Sequence, residues 1–116
     1  MEAFLADSAV ALAAFGRIQE AVTTLGPAQL RLSATQVTWA SRRGFAFLWL
    51  PGRWLGSRGA PAVLSIAAAR SIPSPRWKQV VEVRPGLWMH HLELEGADDL
   101  DDEVGQWLAE AYDDAG

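Results

Sequence analysis

His90 and His91 are the only two imidazoles in the chain, and they stand side by side in Trp88-Met89-His90-His91-Leu92-Glu93-Leu94-Glu95. The alternation of that run predicts a strand, with Trp88, His90, Leu92 and Leu94 on one face and Met89, His91, Glu93 and Glu95 on the other. Adjacent strand residues point to opposite faces, so the two imidazoles cannot ligate one metal together. His91, Glu93 and Glu95 do form an i, i+2, i+4 row of donors that a divalent ion accepts. A solvated outer face explains the same row, and no second histidine can join it, so no metal is assigned. His90 shares its face with large apolar residues, which favours a hydrogen-bonded core histidine over a general base. Acid–base catalysis at His90 or His91, with Glu93 or Arg76 assisting, requires a pocket that contains the imidazole. No Gly-x-Ser-x-Gly nucleophile motif accompanies them. Both remain candidates and no catalytic residue is assigned.

The second set with chemical content joins arginines to tryptophans. Arg42, Arg43, Arg53, Arg58, Arg76 and Lys78 accompany Trp39, Trp54 and Trp77. Guanidinium groups suit phosphate and carboxylate, and exposed indoles supply stacking or cation–π surfaces, the combination used by binders of single-stranded nucleic acid. Tryptophans in the core with arginines along their edges would give the same composition. Gly52, Gly56 and Gly59 match neither the dinucleotide nor the Walker spacing and read as a connecting loop. The acids from Asp98 to Glu103 lack the 12-residue calcium-loop pattern.

Charge is unevenly laid out. Between Gln29 and Leu92 nine basic residues face one acid, Glu82, whereas from Glu93 onward there are ten acids and no base, within a net charge of −4. The two regions either neutralise each other or leave a basic, anion-binding face. The chain has no cysteine, which excludes disulfides and thiolate chemistry and fits a cytoplasmic location. The N-terminus carries Glu2 and Asp7 without a basic n-region, so it is not read as a signal peptide. No apolar run approaches the roughly 20 residues that cross a bilayer.

These groups need elements to position them. Asp7 or Ser8 is an N-cap for a helix to Leu25, with Ala11, Phe15, Ile18, Val22 and Leu25 in one stripe and Leu12 widening it. Gly26-Pro27 ends that helix, the glycine in a left-handed cap. Leu30–Ser33 reads as a brief edge strand and Gln36–Ser41 as an alternating one. Phe45–Leu50 is apolar on both faces, which predicts a central strand covered by a helix, a loop or a partner subunit on its second side. Ala62–Ala69 is a strand of small residues. Trp77–Arg84 and Leu87–Glu95 form a hairpin about Pro85-Gly86. A last helix over Asp99–Tyr112 buries Leu100, Val104, Trp107, Leu108 and Ala111, with acids at its positive end. The 116 residues thus predict one α+β domain over 1–116: an N-terminal helix, an antiparallel sheet of about five strands, and a C-terminal helix packed on the sheet.

Arg43-Gly44-Phe45-Ala46, Arg76-Trp77-Lys78, His90-His91-Leu92-Glu93-Leu94, Asp98–Val104 and Ala111-Tyr112 together resemble a bacterial domain family of unknown function, whose members are small proteins or tails on larger ones and are loosely labelled predicted transport proteins. The resemblance spans nearly the whole chain. It implies a small α+β domain and no catalytic residues. The residues themselves lead to a non-enzymatic binding or interaction domain, without cofactor, that recognises an anionic or small aromatic ligand, or a protein partner, through Trp39, Arg43, Trp54, Arg76, Trp77, Lys78 and His90. A nucleic-acid-binding module and a small enzyme using His90 or His91 are the alternatives. The doubly apolar Phe45–Leu50 strand and the six tryptophans also suit a homodimer.

Overall fold

The computed structural model describes residues 8–51 and 61–116. Helix α1 spans Ala9–Leu25, and the Ser8 hydroxyl caps it by accepting from the Ala11 N–H at 3.1 Å. Ala11, Ala14, Ile18 and Val22 are buried, the i, i+3, i+4 geometry of one helical stripe. Leu12 does not widen this stripe as expected; it is 44% exposed, because one further step around the helix carries it off the packed side. Gly26 ends the helix at φ 140° and ψ −167°. That is the extended mirror region open essentially to glycine, not the left-handed helical cap predicted. Space requires glycine too: a Cβ there would lie 2.6 Å from the Tyr112 hydroxyl.

Six antiparallel strands follow, β1 Gln29–Leu32, β2 Gln36–Ala40, β3 Gly44–Trp49, β4 Ala62–Ala68, β5 Gln79–Arg84 and β6 Leu87–Leu94, in the spatial order β1-β2-β3-β4-β6-β5. The expected count of about five falls short because the brief Leu30–Ser33 segment is a fully paired edge strand, with Leu30 opposite Trp39 and Leu32 opposite Val37. The hairpin turns at Gly86, whose φ is 80°, and sets β6 inside and β5 at the edge. That order follows burial. β6 carries His90, Leu92 and Leu94, all buried, whereas β5 is mostly exposed.

Helix α2 spans Asp102–Ala115. A short 3₁₀ turn, Ala97–Asp99, precedes it, so the predicted start at Asp99 moves by three residues. Asp101 is the N-cap and accepts from the Val104 N–H at 3.2 Å. Asp99 accepts from the Glu95 N–H at 2.8 Å. Both helices lie on one face of the sheet. Across the strands, Trp39, Ala46, Ile66 and His90 fall in one row. Trp39 donates its indole N–H to Gln19 of α1 at 2.8 Å, and at the other end Trp77 lies 4.9 Å from the His90 ring and 4.2 Å from Trp107 of α2. The second face carries no helix among the described residues.

A bulge explains how β3 serves both faces. Trp39 pairs with Ala46 and Ala40 with Gly44, so Phe45 is the extra residue. It turns to the helices and meets Tyr112 edge to face at 5.5 Å, and the alternation beyond it puts Phe47 and Trp49 on the other side.

Two arginines of the basic middle, and Arg17 of α1, are met by the acidic tail. Arg76 reaches Asp101 at 3.0 Å, Glu103 at 2.8 Å and the Asp99 carbonyl at 2.8 Å, and stacks over Trp107. Arg70 grips Glu110 through two bonds of 2.8 and 2.9 Å. Arg17 reaches Asp98 at 3.4 Å. No helix among the described residues is long and apolar enough to cross a membrane.

Candidate binding groove on the open sheet face

The second face is built from three neighbouring strands of unequal bulk. Along β4 it presents Val63, Ser65 and Ala67, all small and all buried. Along β3 it presents Phe47 and Trp49, opposite Ser65 and Val63. Along β6 it presents Met89, His91 and Glu93, opposite Ala67, Ser65 and Val63. Small residues between two lines of large ones make a groove whose floor is β4. Gly44 helps to shape one bank, since a Cβ there would lie 2.7 Å from the Phe47 ring.

A chain of hydrogen bonds crosses the groove midway. The Trp49 indole N–H donates to Ser65 Oγ at 2.9 Å, and Ser65 Oγ lies 2.7 Å from His91 Nδ1. An indole nitrogen can only donate. Ser65 Oγ therefore accepts from Trp49, and its own hydrogen is satisfied when it points to Nδ1. Of the two tautomers, the one with its proton on Nε2 gives the Ser65 hydrogen an acceptor, whereas the other leaves that hydrogen without one among the described residues. Trp49 and His91 meet edge to face at 6.2 Å. Burial, with a smaller effect from the neighbouring His90, pushes the His91 imidazolium below the ordinary histidine range. At neutral pH His91 is thus a neutral ring that presents a donor.

The bridge divides the groove into two depressions. One, of about 300 Å³, has apolar walls from Trp49, Pro51 and Val63 and polar ones from Lys78, Gln79, His91 and Glu93. The other, of about 320 Å³, is lined by Gln36, Phe47, Trp49, Ser65, Met89 and His91 and carries no full charge at neutral pH. These volumes fit single-ring molecules, at the lower end of small-molecule sites. A larger but shallower depression between Ala28 and Arg42 lies where β1 begins and β2 ends, with Arg42 its one charged group among the described residues.

Ser65 and His91 have the contact distance of a nucleophile–base pair. Their setting differs from one: Ser65 is 3% exposed, sits in mid-strand, and its oxygen already accepts from Trp49. What the arrangement supplies is an oriented imidazole between an uncharged pocket and one that carries Lys78 and Glu93.

The structure scatters the residues expected to bind. Trp39 is sealed in the core and bonded to Gln19. His90 is 0% exposed; its Nε2 accepts from the Ile72 N–H at 2.9 Å and its Nδ1 lies 3.0 Å from the Ile66 carbonyl. Both ring nitrogens are committed to backbone groups, as in a core histidine. Trp77 donates to the Ile72 carbonyl at 2.8 Å and packs between His90 and Trp107. Arg76 is held by the start of α2, and Arg43 lies beside its own turn, reaching the Gly44 carbonyl at 3.4 Å. Trp54 lies outside the described residues. Of the described members of that set, Lys78 alone lines the groove, clamped there by its N–H to the His91 carbonyl at 2.8 Å. His91 joins it. No three histidine, aspartate or glutamate side chains gather as a metal cluster among the described residues. Sequence reasoning missed Trp49, Ser65 and Met89. The signal was the contrast between bulky β3 and small β4, but using it needs the register.

The comparisons with known proteins bear on this geometry. Residues 1–115 match the domain of unknown function DUF5655. The chain belongs to that family. No curated protein and no solved structure matches it. Membership of the family assigns no chemistry to the groove, so the function must be argued from the residues.

Proposed function

We propose that this DUF5655 domain is a small-molecule binding module whose site is the groove over β4. The Trp49–Ser65–His91 chain carries the reading. A surface histidine with no task is free to rotate in water. Here a buried serine, itself held by an indole, holds one ring nitrogen, and Nε2 has no protein partner among the described residues. Pre-organised donors beside an apolar surface are the features that orient a ligand. The ligand is a compact molecule with a flat or branched apolar part and a hydrogen-bond acceptor. The expectation of an aromatic or anionic ligand is retained, and its location moves from the basic segments to the open face.

The test is a titration with benzamide, a flat ring that carries a carbonyl acceptor, followed through tryptophan side-chain and backbone amide resonances. Shifts concentrated on the Trp49 indole N–H and on Val63, Ser65, Met89 and His91 are expected. Shifts spread evenly over the surface, or none at millimolar ligand, would remove the proposal.

Acid–base chemistry at His91 is the second reading, favoured by the 2.7 Å Ser65 contact and a ring held neutral. It requires turnover of some compound that occupies the groove, with loss of that turnover in His91→Ala. Nucleic-acid binding through the basic middle has less support, because Arg70 and Arg76 are already paired with acids of α2.

A further inference from the structure

The charged half of the groove narrows the class of ligand. This inference rests on the groove reading above and adds to it. The depression beyond the Trp49–His91 bridge has an apolar floor and wall, Val63, Trp49 and Pro51. Among the described residues its polar lining consists of one cation, Lys78, one anion, Glu93, the Gln79 amide and the His91 ring. Lys78 and Glu93 are not within ion-pair distance of each other, and neither makes a salt bridge among the described residues. Opposite charges that line one small pocket without meeting leave an electric dipole across it.

Each simple ligand class fits that dipole poorly. A plain carboxylate that reaches Lys78 would face the Glu93 carboxylate. An amine that reaches Glu93 would face Lys78. A hydrocarbon would desolvate both charges and pair neither, which is costly. A zwitterion satisfies both, with its carboxylate toward the Lys78 ammonium and the His91 Nε2–H and its ammonium toward Glu93. The remaining apolar space then receives a side chain of about one ring.

We propose that the half-groove between Trp49, Lys78, His91 and Glu93 binds a free α-amino acid with an apolar or aromatic side chain. The groups that would hold it come from separate elements, with Lys78 just ahead of β5, His91 and Glu93 on β6, and Trp49 on β3. They are brought together by the β5–β6 hairpin and the β4–β6 pairing.

The experiment is calorimetry and ligand-observed NMR on the full chain with four probes. These are L-phenylalanine, N-acetyl-L-phenylalanine, L-phenylalaninamide and indole. Removing one charge-assisted contact should weaken binding about tenfold or more. L-Phenylalanine should therefore exceed both its acetylated and its amidated form by that factor. Glu93→Gln should abolish the preference over the N-acetyl compound, and Lys78→Gln the preference over the amide. Neither residue is in the core, so both variants should fold. Equal binding of the three phenylalanine compounds, or binding of indole alone, would overturn the amino-acid assignment and leave the groove standing. Failure of all four probes to bind would overturn the groove itself.

Discussion

On the helix-covered face of β6, His90 gives both ring nitrogens to backbone groups of Ile66 and Ile72. On the open face, His91 gives one nitrogen to Ser65 and has no described partner for the other. The two residues share a side chain and are adjacent in sequence. They differ because a strand reverses its facing at every residue. On one side the imidazole serves as structural cement between a sheet and the Ile72 segment. On the other it is oriented by a serine toward a pocket. The type of a residue therefore says little about function until its face is known, and exposure alone says little until the state of each polar atom is counted.

The sharpest way to break this comparison is to truncate each ring in turn. His90→Ala leaves the Ile72 N–H and the Ile66 carbonyl without their partner and opens a cavity beside Trp77. Large-to-small core changes of this kind cost about 3–5 kcal/mol. His91→Ala should cost under about 1 kcal/mol, as expected of a half-exposed residue. Urea unfolding of both variants measures the gap. Equal losses would mean that the two faces do not differ as described. A loss between those two is expected for Ser65→Ala, which strips the Trp49 N–H of its acceptor and costs about 1–2 kcal/mol. The same substitution should release the His91 tautomer. Nitrogen-15 shifts of the ring should show Nε2 protonated in the parent protein and a mixture of tautomers in the variant.

The smallest effect is the pH dependence. Burial lowers the folded pKa of His91, so the unfolded chain takes up the proton first. As pH falls through about 6.5 toward the folded value, the unfolded state binds more protons and stability declines. Melting temperatures between about pH 7.5 and 5.5 should fall more steeply in the parent protein than in His91→Gln. Parallel curves would show that His91 titrates as it does in the unfolded chain.

Much of the architecture was legible in local patterns. Ser8 and Gly26-Pro27 bounded α1, Pro85-Gly86 marked the hairpin, and the acids around Asp101 marked the start of α2. The alternation around His90-His91 assigned each ring to the correct face. The binding residues were legible only in part. Arg76 and Lys78 are two positions apart and equally basic in sequence. Arg76 was removed from consideration by Asp101 and Glu103, some 25 residues away, and Lys78 was not. Trp39 and Trp49 both sit in strands and both donate an indole hydrogen bond, one to the core-side Gln19 and one to Ser65. Which of them faces the open side depends on the bulge at Phe45, and nothing in local propensity announces that extra residue. Ser65 was invisible for the same reason. A serine between Leu64 and Ile66 gains meaning only when the register sets it opposite His91 and Phe47.

The way the C-terminal helix closes the fold also bears on synthesis. Tyr112 fills the space that Gly26 leaves empty and donates to the Pro27 carbonyl at 2.8 Å. The Arg42 N–H bonds the Ala115 carbonyl at 3.0 Å. The cover for Phe45 thus arrives late on the growing chain. A ribosome-bound product that ends before α2 would hold an apolar sheet face uncovered, the kind of surface that chaperones recognise and that aggregates when crowded. Placing the closing helix after the strands makes the arrival of α2, rather than the formation of the sheet, the event that completes the cover over Phe45.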